Sequence, residues 1–316
     1  MTTGPCRDLS AAGDTPEISD LVVAFDPATL ERLPVRRDDV VAELERRRMH
    51  DAARIVAGWP HAGGVLDAQF VDGVLLRAHG ELQRLSEEFQ QGRRALRLLA
   101  PMLAVLRAEA VPPPYRVVDV GCGLGYVVRW LAARGRLGAD VELIGCDYNA
   151  TLIGMARRLA EHERLRCVFH VANAFQLDEP ATIFTSTGVI HHFRGADLDR
   201  FLAEQGRSAA RAFAHFDTKP SWLAPIGSWL FHRTRMREPL ARHDGVVSAA
   251  RAHPATTLAT AARRACPDFT VSVFDGRRAR MPVLRVMQAL VGVRRELAAR
   301  LSAELGPLAR RLEGCP

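Results

Sequence analysis

The sequence predicts an α/β chain with a Rossmann-like, seven-stranded, mostly parallel sheet, helices on both faces and an N-terminal helical cap. Three observations carry this. Beyond Pro114, short apolar runs alternate with stretches of helical periodicity, as buried parallel strands and their crossover helices do. The stretch Y-R-V-V-D-V-G-C-G-L-G-Y-V-V-R-W at 115–130 passes from a β-branched run through Gly121, Gly123 and Gly125 into apolar residues at helical spacing, which reads as strand, glycine turn and helix. Residues 18–110 are mostly helical in pattern.

Residues 1–16, rich in Gly, Pro, Thr and Ala, read as a tail. One long helix is expected at 38–57, stopped near Gly58 and Pro60, with others at 74–89 and 93–110. The run Val111-Pro112-Pro113-Pro114 cannot continue the last of these. Residues 1–112 are thereby set apart as a substrate-covering cap and 113–316 as the sheet domain, with an insertion at about 219–252. The expected strands are 116–120, 142–147, 166–171, 182–186 and 212–217, all parallel. Two more, 270–275 and 283–289, are separated by so little chain that they must pair antiparallel. Leu297, Leu301, Leu305 and Leu308 mark a closing helix.

A net charge of +7, from 43 basic and 36 acidic residues, raises the question of nucleic acid. The basic residues are arginines scattered over the whole chain, with Lys219 as the lone lysine, and this reads as coding bias rather than a phosphate-binding surface. Nucleic acid is therefore not the expected partner. The six cysteines show no C-x-x-C pair and no zinc-like spacing with histidine, so no metal is claimed and a reducing compartment fits. The start M-T-T-G-P-C-R-D lacks the basic-then-apolar pattern of a secretory signal, and no run of ~20 apolar residues could span a bilayer. The expectation is a cytoplasmic protein acting on a small molecule.

In an open α/β sheet the ligand lies beyond the carboxyl ends of the strands. The chemistry-bearing residues fall there. The first strand runs into the glycine turn. The second ends at Asp147, 22 residues after Gly125, where an acid can accept from both hydroxyls of a ribose. The third ends in Asn173-Ala174, and the fourth in Ser186-Thr187-Gly188 followed by His191-His192. A dinucleotide turn would place a glycine where Tyr126 stands and would keep the helix start open for a pyrophosphate. The ligand read here is a nucleoside without one.

The run V-V-D-V-G-C-G-L-G resembles motif I of class I S-adenosylmethionine-dependent methyltransferases. I-G-C-D-Y-N, V-A-N-A-F and F-T-S-T-G-V-I-H-H-F are similar to their later stations, the last in the small-molecule branch. The resemblance implies S-adenosylmethionine as methyl donor and S-adenosylhomocysteine as product. It also implies that Gly121, Cys122, Gly123 and Gly125 pass the methionine part, with Asp119 near its ammonium. Asp147 would hold the ribose, Tyr148 and Asn149 would flank the adenine, and Asn173, Ala174, Ser186 and Thr187 would complete the cofactor side. Asn173 and Thr182 stand where the family commonly has acids. The stretch Arg242-His243-Asp244-Gly245, with Ser248, is similar to one at the acceptor rim of some small-molecule methyltransferases, and also reads as a plain loop turn.

A hydroxyl acceptor benefits from a general base. The candidates are His192 first and then Asp244, with His191, His243 and Asp217 beside them. Trp222, Trp229 and Phe231 could line an apolar acceptor pocket or pack the insertion as core, and core is the expectation. The sequence is read as specifying O-methylation of a hydroxyl-bearing metabolite. The rivals are an RNA or protein methyltransferase and a cofactor-binding protein of this fold that transfers no methyl.

Overall fold

The computed structural model describes residues 15–177, 180–207, 209–221, 224–274 and 286–306. In chain order its helices are α1 (Ile18–Val22), α2 (Arg37–Arg46), α3 (His50–Ala57), α4 (Ala68–Glu88), α5 (Gln91–Ala108), α6 (Tyr126–Arg134), α7 (Ala150–His162), α8 (Gly195–Arg207), α9 (Ala224–Arg235), α10 (Pro239–Ala250), α11 (Ala255–Ala265) and α12 (Ala298–Leu305). The strands of the large sheet are β1 (Tyr115–Val120), β2 (Val141–Asp147), β3 (Val168–Val171), β4 (Ile183–Thr187), β5 (Ala212–Thr218), β6 (Phe269–Phe274) and β7 (Met287–Arg294). Two ladders of two-residue strands, Ala24–Phe25 with Arg32–Leu33 and His61–Ala62 with Val65–Leu66, interrupt the N-terminal helices.

The large sheet has seven strands in the order β6-β7-β5-β4-β1-β2-β3. The pairs among β1 to β5 are parallel, and β7 pairs antiparallel with both β5 and β6. It follows that β6 points the same way as the first five strands and β7 alone is reversed, inserted between strands that precede it in the chain. The strand order turns around between β1 and β4, so the crevice for a ligand opens beyond their carboxyl ends. Alternate side chains of β1 serve two cores. Tyr115 and Val117 join Leu99, Leu103, Val128, Leu131 and Leu301 on the face covered by α5, α6 and α12. Val118 and Val120 join Phe184, Phe201, Leu202, Leu258 and Ala262 on the face covered by α8 and α11. Val118, Phe184, Phe201 and Leu103 are 0% exposed, so the sheet is buried on both sides, as an all-apolar strand pattern requires.

Compactness divides the chain into two units, one of residues 1–84 with 221–251 and the other of 85–220 with 252–316. The second unit takes in α5, because that helix packs on α6 and α12; the helix-stopping prolines at 112–114 mark its end rather than a boundary between units. In the first unit α10 packs on α1, α3 and α9. Buried Glu81 of α4 accepts the backbone N–H groups of Arg237 and Glu238 at 3.0 and 3.1 Å.

Several sequence expectations need correction. Residues 38–57 are not one helix. Arg48 adopts φ 60°, and the N–H of Met49 closes back on Leu44 O at 2.9 Å, which ends α2 before α3 begins. Residues 242–248 are helical rather than a loop turn, within α10. Pro239 opens that helix, and the missing Cβ of Gly245 leaves room for the ring of His232, whose Nε2 would lie 2.3 Å from a Cβ there. Trp229 is 54% exposed and not core. The inward positions of α9 are Ser228 and His232, followed by buried Met236 just past its end, and Trp229 turns away from them. Trp222, Leu308 and residues 275–285 lie outside the described residues.

Candidate functional site

The turn between β1 and α6 is built from backbone that only glycine adopts freely. Gly121, Gly123 and Gly125 have φ of 70°, 54° and 70°. The spaces over Gly121 and Gly125 are filled by neighbours, since added Cβ atoms would lie 2.6 Å from the Val189 side chain and 2.3 Å from the Phe169 ring. The N–H groups of Gly121 and Cys122 both donate to Cys146 O of β2, at 2.8 and 3.0 Å.

Asp147 closes this cradle from the end of β2. It is 7% exposed; its Oδ2 accepts the N–H of Gly123 at 3.0 Å and its Oδ1 the N–H of Asn149 at 2.9 Å. Burial raises its pKa, and these two N–H groups hold it back. Asn149 is committed to capping α7, accepting from Thr151 N and Leu152 N, and Tyr148 beside it is 42% exposed. The carbonyl of the Asn173 side chain accepts the N–H of Phe175 at 3.0 Å, within a tight turn that also holds Ala174. Ser186 is 0% exposed, and its hydroxyl lies 2.9 Å from His215 Nδ1, so only its backbone faces the strand end. Thr187 is half-buried beside it.

Asp119 is buried on β1. Burial pushes its carboxyl up to about 6, the Thr185 hydroxyl that donates to it at 2.7 Å pulls it down, and the nearby charge of Asp147 pushes it up further. This has a measurable consequence. The native carboxyl binds its proton more tightly than the unfolded one, whose ordinary value is 3.8, so stability should fall as pH rises from about 4 to about 6, by up to ~3 kcal/mol. Asp119→Asn should lose that fall. Urea midpoints at either end of the window test it, and parallel curves for the two proteins would count against it.

Beyond β4 the chain makes a short 3-10 turn, Ile190–His192. Here the described residues bring together a histidine–carboxylate pair. His191 Nδ1 lies 2.8 Å from Asp217 Oδ1 at the end of β5, and the backbone N–H of His191 donates to Asp217 Oδ2 at 2.9 Å. Both residues are buried, at 5% and 3% exposure. Burial alone would raise the pKa of Asp217, but His191 and two backbone N–H groups hold it below the ordinary carboxylate value. A carboxylate on Nδ1 fixes the proton there, which makes Nε2 the basic nitrogen. The His192 ring lies tilted at 33° against that of His191, with ring centroids 4.4 Å apart. The turn is tied to the glycine loop through Val189 over Gly121.

His243 and Asp244 belong to the first unit. The Asp244 carboxylate accepts the N–H groups of Ile18 and Ser19 at 2.8 and 3.0 Å, with His243 Nδ1 at 2.9 Å. Burial raises its pKa, and His243 counters this. Arg251, buried, pairs with Asp20 at 2.6 Å, and Ser248 donates to Glu17 at 2.8 Å. The R-H-D-G-x-x-S stretch thus fastens α10 to α1.

Sequence reasoning missed Thr185, His215 and Val189. Their roles depend on which residue of β4 stands opposite Asp119 and on how the 3-10 turn folds back, and neither is written in spacing; the Asp119–Thr185 register is a product of sheet pairing.

The fold and the cradle together define a nucleoside-binding α/β protein of the Rossmann-like kind, and the donor set is consistent with a sulfonium nucleoside. Asp119, short of hydrogen-bond donors in a buried place, matches an ammonium. Asp147 retains lone pairs for a diol, and no phosphate-sized opening is needed at a turn where the spaces over Gly121 and Gly125 are already filled.

A family model described as a methyltransferase domain matches residues 117–211, from within β1 to just before β5. This stretch is a class I methyltransferase domain, and its methyl donor is S-adenosylmethionine. No curated protein matches the chain. Similar solved structures include magnesium protoporphyrin IX methyltransferase from Synechocystis PCC 6803 with bound S-adenosylhomocysteine (15% identity, 82% of this chain, 99% of that one, TM-score 0.43). Another is a plantazolicin methyltransferase in complex with a desmethyl analogue and S-adenosylhomocysteine (12%, 71%, 96%, 0.48). A third is a possible exported protein from Bordetella parapertussis (19%, 66%, 67%, 0.46). Among the described residues no helix is long and apolar enough to cross a membrane.

Proposed function

We propose that this chain methylates a hydroxyl of a small-molecule acceptor, with His191 as the general base and Asp217 as its positioning partner. The observation that carries this is the buried His191–Asp217 pair, packed beside the glycine cradle at the switch point of the sheet. S-adenosylmethionine supplies a methyl already activated for displacement, so the protein's work is alignment, exclusion of water and removal of one proton. Asp147 would hold the ribose hydroxyls while its two backbone donors fix its plane. Asp119 would face the ammonium, and Tyr148 would lie along the adenine. His191 would take the acceptor proton on Nε2, and the imidazolium so formed would be stabilised by the Asp217 charge. His192, beside it, would steer the acceptor. The order the sequence suggests, His192 then Asp244, gives way to His191 because both oxygens of Asp244 are engaged within the first unit, whereas Asp217 sets the His191 ring.

Asp147→Ala should weaken S-adenosylmethionine binding at least tenfold by calorimetry, about 1.4 kcal/mol; unchanged affinity would refute the ribose assignment. The acceptor class is tested by following S-adenosylhomocysteine release over a panel of small phenols and aliphatic alcohols at low and high salt. Salt-insensitive turnover of a panel member supports the reading. Methyl incorporation into RNA alone, falling steeply with salt, would replace it with a macromolecular substrate.

A further inference from the structure

Helix α9 is unlike the other helices in what it shows to solvent. Ile226, Trp229 and Leu230 are 63%, 54% and 60% exposed, the largest exposures among the large apolar residues described. They stand at i, i+3 and i+4, on one stripe that continues one turn on into Arg233. The opposite face is the anchored one. Ser228 donates to Gly245 O at 2.7 Å, and His232 and Met236 are buried at 7% and 3% exposure. The apolar stripe is therefore a fixed outward surface of a helix seated on α10.

Charge selects its occupant. Arg233, Arg235 and Arg237 are exposed, and no carboxylate occurs from 224 to 237. The next acid, Glu238, is taken by Arg77 at 2.9 Å. The Arg233 guanidinium lies 5.8 Å over the Trp229 ring, which joins the cationic end to the apolar stripe. A second copy meeting this face across a two-fold axis would bring no carboxylate to the arginines and gain nothing for its charge. An anionic bilayer offers what the face lacks. Its acyl boundary takes Ile, Trp and Leu, its headgroups take the guanidinium groups, and tryptophan is the side chain that favours that depth.

We propose that α9 is an interfacial helix that seats this chain on an anionic lipid surface, with Ile226, Trp229 and Leu230 entering the headgroup boundary, Arg233 on the same stripe pairing with lipid phosphates, and the exposed Arg235 and Arg237 adding positive charge beside it. The full-length chain is sedimented with vesicles of phosphatidylcholine alone and with equal parts of phosphatidylglycerol. Partitioning onto the mixed vesicles should be at least tenfold stronger, and should weaken with salt. Ile226→Ser with Trp229→Ser should lower it at least tenfold. Arg233→Gln, Arg235→Gln and Arg237→Gln together should abolish the preference for anionic vesicles. All these positions are exposed, so the melting temperature should not move, which separates lost binding from lost folding. Equal partitioning onto both vesicles, wild-type binding by the serine variant, or self-association in lipid-free buffer that the serine variant abolishes would each overturn the proposal.

Discussion

Gly125→Ala should destabilise the fold by about 2 to 5 kcal/mol, the larger of two glycine-to-alanine effects that can be set side by side. Two costs add. A residue with a Cβ held at φ 70° loses about 1 to 2 kcal/mol. Forcing that Cβ to within 2.3 Å of the Phe169 ring adds the cost of overpacking, about 1 to 3 kcal/mol. Phe169 cannot step aside easily, because it is 3% exposed and the same ring fills the space over Gly145 on β2. Gly135, at the end of α6, is the natural control. Its φ is 57°, yet nothing lies within 4 Å of an added Cβ, so Gly135→Ala should show the backbone cost alone. Denaturant midpoints of the two variants isolate the steric part. Equal losses would mean that the turn yields to Phe169 and that its tight packing is not what makes glycine necessary there.

His191→Ala should cut methyl transfer by about 10² to 10⁴ while leaving S-adenosylmethionine affinity within twofold, and Asp217→Asn should do much the same. The Asp217 case follows from its hydrogen bonds. Oδ2 accepts the His191 N–H, and Oδ1 accepts from the Thr218 N–H at 2.6 Å while facing His191 Nδ1. Whichever way an asparagine amide is turned, its NH₂ meets a backbone donor. One N–H then loses its acceptor at a cost of about 1 to 3 kcal/mol, and an NH₂ facing Nδ1 drives the proton onto Nε2, removing the basic nitrogen. Single-turnover measurement on whichever acceptor the panel identifies, with calorimetry of the donor alongside, separates this from a general loss of folding. Full activity in the alanine variant would remove His191 from the reaction.

Much of this was legible in the sequence because it rests on short-range rules. Three glycines between a β-branched run and an apolar helix, an acid ending the next strand and the alternation beyond Pro114 are local patterns, and the sheet follows from them. The helical reading of 38–57 failed at Arg48, a residue with no turn signature, whose left-handed conformation comes from the way α2 and α3 pack on each other. The Arg242–Ser248 stretch was misread because Asp-Gly is a turn dipeptide; only the fit of His232 against Gly245 shows why glycine sits inside a helix there. Asp217 was one of several acids at strand ends. What sets it apart is the 3-10 turn that carries the His191 ring and N–H to it, a relation across 26 residues that no spacing encodes.

The reversed strand β7 also bears on how the molecule is put together. It lies between β5 and β6, both made before it, so neither can complete its ladder of hydrogen bonds until residues 287–294 are present. Until then β5 keeps an open edge in the middle of the eventual sheet, and β6 has no neighbour to hold it in line. Assembly of this half therefore waits on pairings distant in sequence, the slow and exposed kind, and the last strand synthesised acts as the keystone that joins β6 to the parallel sheet.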